Sequence, residues 1–258
     1  MNALADTLWI EQRKAIRSRM PLFTALGFMM MPLVNAFMIF IYKNPELSRR
    51  LGLISAKASI IGDLSADWPA YLKLISMTTA LAGFFLFCLI ISWVFGREFT
   101  DGTLKDLLAV PVPRASVILA KFILVAIWAL ALTLLNYIVS LGMGAVIGLP
   151  QGSTAVLLHS SAIQAVTVCL TILVVLPFAF LASVGRGYLL PLGLAILLVI
   201  LGQLIVVAGW GEYFPWDVPA LYTQGNPLPP VSYWIVILTG LGGMLITYWW
   251  WKYADQSR

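Results

Sequence analysis

Six apolar runs alternate with polar intervals along the 258 residues. They occupy 21–42, 72–95, 122–147, 161–182, 188–208 and 231–251, each close to the 20 or so residues that cross a bilayer as a helix. The pattern predicts an all-α polytopic membrane protein, one transmembrane domain over 1–258. The fourth run contains Pro177, which should kink it near one end. The five residues from Ser183 to Gly187 then make the fourth and fifth runs antiparallel neighbours. Ahead of the first run, residues 1–20 place Leu4, Leu8, Trp9 and Ile16 among Arg13, Lys14, Arg17 and Arg19 at helical spacing. A basic amphipathic helix of this kind is suited to lie in an anionic interface.

The longest polar interruption with internal pattern is 95–121, between the second and third runs. Residues 102–108 read as about two helical turns, with Asp101 placed to cap the start. Leu104, Leu107 and Leu108 then share a face, and Lys105 and Asp106 point elsewhere. Pro111 and Pro113 stop the helix before Arg114. So short a helix is marginal alone in water, so its apolar face is expected to dock on a partner protein in the cytoplasm.

Composition narrows the class. The chain is 61% hydrophobic and 10% charged, against about 25% charged in a soluble domain. The net charge of +5 does not mark a nucleic-acid binder, because the basic residues flank apolar runs without aromatic clustering. They read as topology signals. With six spans and both termini in the cytoplasm, eleven of the sixteen Lys and Arg fall inside, and the outer intervals 148–160 and 209–230 carry none. Cys88 and Cys169 lie within apolar runs, so no disulfide framework is expected.

The 95–121 interval resembles the cytoplasmic loop of ABC-2 type transporter permeases, and more narrowly that of the bacitracin and lantibiotic-immunity permeases. The matching residues are Gly96, Glu98, Gly102, Thr103, Leu104, Lys105, Leu107, Leu108, Pro111, Arg114 and Lys121. Phe214, Pro215, Trp216 and Pro219 are similar to that family's last external loop. The resemblance implies that 1–20 is an interfacial elbow helix. It implies that 102–108 is a coupling helix seated in a separate ABC ATPase subunit, which carries ATP and magnesium, and that Glu98 helps transmit motion from that contact. It implies that 209–230 dips into the outer leaflet as a lid over the exit. It further implies pairing with a second copy or a related permease, with Thr79 and Gln203 lining the route at the seam. The location implied is the bacterial inner membrane, and the cargo an amphipathic antimicrobial peptide.

The remaining chemistry is sparse. None of the eleven acidic residues falls in the middle of a run, whereas ion-coupled carriers place ionisable groups at depth. No G-x-x-x-x-G-K-[ST] motif is present, so the chain holds no P-loop. His159 adjoins Ser160 and Ser161, but neighbours on one helix do not face each other, so no hydrolytic pair is expected. No cysteine or histidine cluster suggests a metal. Asn35, Asn136, Ser140, Gln164 and Thr167 suit hydrogen bonding between helices, and Gly144, Gly148, Gly240, Gly242 and Gly243 suit close packing. The reading is an exporter permease driven from outside the chain. An ion-coupled carrier and a non-transporting anchor or sensor subunit are the alternatives.

Overall fold

A computed structural model describes residues 3–44, 65–103, 112–225 and 227–253, and all regular structure among them is helical. The helices are α1 (Ala3–Arg17), α2 (Met20–Lys43), α3 (Trp68–Thr78), α4 (Phe84–Thr100), α5 (Arg114–Ile147), α6 (Thr154–Val175), α7 (Phe178–Val184), α8 (Leu189–Val207), α9 (Val218–Thr223) and α10 (Pro230–Tyr253). A wide π-type turn, Thr79–Gly83, joins α3 to α4 without ending the rod. Among the described residues, six stretches are long and apolar enough to cross a membrane: Met20–Lys43, Trp68–Thr100, Arg114–Ile147, Thr154–Val184, Leu189–Val207 and Pro230–Tyr253. Three of them outrun their apolar cores by one to two turns, because helix geometry continues into interfacial sequence that hydropathy ignores.

Local chemistry sets the ends. The Asp67 side chain accepts from Ala70 N, with Pro69 in the first turn of α3, and Ser153 does the same for Val156 N at α6. Pro177 cannot donate to the ladder, and the fourth span divides into α6 and α7 there. Gly148 takes a left-handed conformation (φ 67°) that closes α5, and Lys43 Nζ donates to the exposed carbonyls of Ile147 and Gly148.

The second, third and fourth spans form the interior, and α2, α8 and α10 the periphery. Phe28, Phe84, Phe87, Phe95, Phe122 and Phe178 are buried at the centre of the larger core. Helices approach closely where side chains vanish. Trp68 and Tyr71 pack on Gly144, Gly240 lies on the Leu173 carbonyl, and Gly243 lies on the Pro177 backbone. Gly242 faces open space and Gly148 serves the turn, so neither is a packing glycine. Polar side chains cross-link the rods: Asn35 Nδ2 donates to Thr78 Oγ1 at 2.9 Å and Gln164 Nε2 to Thr79 Oγ1 at 3.1 Å.

Candidate functional site

The end of the bundle that carries α1 holds a buried knot of charge. Helix α1 turns Thr7, Glu11 and Ala15 inward, at i, i+4 and i+8, and leaves Trp9, Ile10 and Ile16 exposed. Its inner stripe ends in small side chains, which lets Glu11 meet α5. There Lys121 is fully buried. Its Nζ donates to Glu11 Oε2 at 2.9 Å, Val94 O at 3.0 Å and Glu98 Oε1 at 3.2 Å, which uses all three ammonium donors. Lys14 Nζ reaches Glu11 at 3.0 Å and Glu98 at 3.3 Å. Arg97 approaches both carboxylates at 3.5 Å while its guanidinium covers the Trp93 ring. Burial alone would push the Glu11 carboxyl up, but Lys121, Lys14 and Arg97 overcome it and hold it below the usual range. Two carboxylates and three cations are thus mutually held. Buried charges persist in this way only when paired and hydrogen-bonded.

The knot reaches the loop between α4 and α5. Thr103 Oγ1 donates to Glu98 Oε2 at 2.7 Å, anchoring the first stem of that loop. Arg114 anchors the second: its Nη1 donates to Trp251 O at 2.9 Å and Lys252 O at 3.2 Å. These are carbonyls at the C-terminus of α10, where a helix has no partners of its own and favours a cation. Trp251 Nε1 donates in turn to Ser183 Oγ, and the Trp251 ring meets Phe95 and Phe99. The loop is therefore clamped on one side to α1, α4 and α5, and on the other to the last span.

Asp101 stands at the end of α4. Its N–H donates to Arg97 O, so it closes α4. Gly102 then takes φ +69°, the left-handed position past a helix end. Of the expected coupling helix over 102–108, only Gly102 and Thr103 are among the described residues. Leu104, Lys105, Leu107, Leu108 and Pro111 lie outside the described residues.

Other candidate residues lie elsewhere. Thr79 is fully buried within the chain, bonded to Ile75 O and Gln164. Gln203 is exposed on α8. At the far end, the chain between α8 and α10 folds back onto the bundle. Trp216 Nε1 donates to Val174 O at 3.1 Å, past the midpoint of the fourth span. Phe214 packs against Trp216, and Pro219 is buried in the first turn of α9.

The resemblance singled out Glu98 and matched Lys121, but the sequence did not pair either of them with Glu11 or Lys14. The available signal was that opposite charges stood at the same end of three apolar runs. No spacing rule could say that they meet.

A model of the ABC-2 family transporter proteins matches residues 7–202, from the knot's first helix through α8. The chain belongs to the ABC-2 transporter family. It is also similar to the bacitracin transport permease protein BCRB of Bacillus licheniformis, 29% identical over 180 residues that cover 68% of this chain and 86% of that protein. The ABC-2 chain is a membrane permease component of an ABC transporter, a multi-pass protein of the inner membrane, and its family works in general with an ABC ATPase.

Proposed function

We propose that this permease is the translocating subunit of an ATP-driven exporter, worked by a separate ATPase that grips residues 102–108. The observation that carries the reading is the double anchoring of that loop. A load on the loop reaches α1, α4 and α5 through Thr103, Glu98 and Lys121, and α10 through Arg114. Buried, fully bonded charges transmit displacement stiffly, because separating any pair exposes an uncompensated ion. ATP and magnesium act on the partner. This chain converts ATPase closure into rearrangement between two packed states.

The knot then lies at the cytoplasmic face with both termini, in keeping with the bias of Lys and Arg to that side. Helix α1 serves as the elbow, its exposed Trp9, Ile10 and Ile16 set into lipid. Two copies pair through the peripheral face of α8, where Gln203 is the polar residue facing the seam. The segment folding back beside α8, with Phe214, Pro215, Trp216 and Pro219, covers the exit. The cargo is an amphipathic peptide, a reading supported by the similarity to a bacitracin transport permease.

The test is reconstitution of the permease with its ATPase in vesicles, with bacitracin as the probe. Peptide-stimulated ATP hydrolysis with accumulation of peptide on the far side is expected. Hydrolysis that ignores the peptide, with no movement of it, would make the chain an anchor or sensor instead.

A further inference from the structure

The segment between α8 and α10 buries a carboxylate that has no counter-ion among the described residues. Asp217 is 8% exposed, and its Oδ2 is buried with no hydrogen-bond partner. The carboxyl group lies directly on Gly202 of α8, where an added Cβ would overlap Oδ1. Although every acidic residue is outside the apolar runs in sequence, the fold returns this one to an apolar surface. The same segment is held by two side-chain hydrogen bonds, Trp216 to Val174 O and Lys73 Nζ to Gln224 O, and by the packing of Val218, Pro219 and Thr223.

The ionisable neighbours do not neutralise it. Its own segment carries Glu212, Tyr213 and Tyr222, and α8 carries no charged residue. Lys43 at the end of α2, Asp67 at the start of α3, Lys73 within it, His159 of α6 and Tyr233 of α10 are the described groups toward this end. Lys252 of α10, with Arg97 and Glu98 of α4, sits at the other end. Among the described residues, every ion pair lies in the α1 knot. An unpaired carboxylate is stable in such a place only when protonated.

We propose that protonation of Asp217 latches the 208–225 segment onto α8 and that ionisation releases it, so that protons on that side of the membrane set whether the exit is covered. The latch rests on the reading of this segment as an outer lid, but its test needs no transport and can fail separately from that reading. Burial pushes the Asp217 carboxyl up from 3.8 to about 6, whereas a released, solvated aspartate returns to about 3.9. The docked state therefore binds the proton more tightly. Docking is strongest in acid and weakens as pH rises, with the change complete once pH passes the docked value. Two pH units of difference correspond to about a hundredfold shift in the docking equilibrium.

The experiment places a cysteine at Thr223, which is 3% exposed, in a Cys169→Ser chain reconstituted in vesicles. A membrane-impermeant thiol reagent is added outside from about pH 4 to about pH 7. Rates are divided by those of a reference cysteine at the exposed Gln151, which cancels the thiol's own titration. The ratio is expected to rise at least about tenfold with pH and to stay low and flat in Asp217→Asn. His159→Gln, which removes the single histidine of the chain, is the control and should leave the rise intact. Infrared spectra of the unlabelled chain should show a protonated carboxylic-acid band that fades over the same interval and is missing in Asp217→Asn. A flat ratio in the parent chain, an unchanged rise in Asp217→Asn, or a rise abolished by His159→Gln would overturn the latch.

Discussion

Lys121 keeps two carboxylates from facing each other unpaired. Lys121→Met leaves Glu11 and Glu98 buried with weaker support, and the expected loss is about 3–5 kcal/mol, the usual result of breaking a buried ion pair from one side. Denaturation of the purified chain measures it. Adding Glu11→Leu and Glu98→Leu to that variant should recover most of the stability, since well-packed apolar replacements of buried ions are close to neutral. The coupled function should stay lost. Glu11 also gives the knot a pH signature. Its carboxyl is held below the ordinary range by Lys121, Lys14 and Arg97 against burial, so its contribution is present above about pH 4.3 and fades as pH falls through the lowered value. Spin labels on α1 and α5 should stay at one separation down to that point and part only in stronger acid. Glu98 could be picked out from its neighbours in sequence. The pairing of Glu11 with Lys121 could not, because the partners are 110 residues apart and local pattern carries no information about which charges meet.

Elements are held by contacts that tolerate little. Gly243 lies against the Pro177 backbone, where a new Cβ would stand 2.5 Å from Pro177 Cα. Gly243→Ala should therefore cost about 1–3 kcal/mol as the helices part, whereas Gly242→Ala, facing open space, should be near neutral. Parallel thermal melts of the two variants check this. Arg114→Ala should free the end of α10 at a cost of about 1.5–3 kcal/mol, the worth of hydrogen bonds to a charged group, with labels at Lys252 reporting greater mobility. The six rods were legible because a bilayer demands long apolar runs. Their true lengths were not: hydropathy reports lipid contact, whereas Trp68–Tyr71, Arg97–Thr100 and Arg114–Lys121 remain helical through the interface. An inward-dipping segment after α8 was implied only by the family resemblance. That it carries Asp217 onto Gly202 was not, since the sequence there contains only a polar residue between two bulky ones.

At the scale of the whole molecule, the layout separates tasks. The interior spans are tied by phenylalanine packing and by the charge knot, while α2, α8 and α10 present apolar faces outward. A loop clamped at both stems connects the knot to whatever pulls on it. On the proposed reading this arrangement lets a permease with no P-loop motif respond to nucleotide on another chain, and Glu98 is the residue through which the first stem is held. The decisive measurement is peptide transported per ATP hydrolysed by the reconstituted complex, compared between the parent chain and Glu98→Ala. Membrane insertion and ATPase binding should persist in the variant while that ratio falls about tenfold or more, corresponding to at least roughly 1.4 kcal/mol of lost coupling. An unchanged ratio in a correctly inserted, ATPase-bound Glu98→Ala permease would contradict the account.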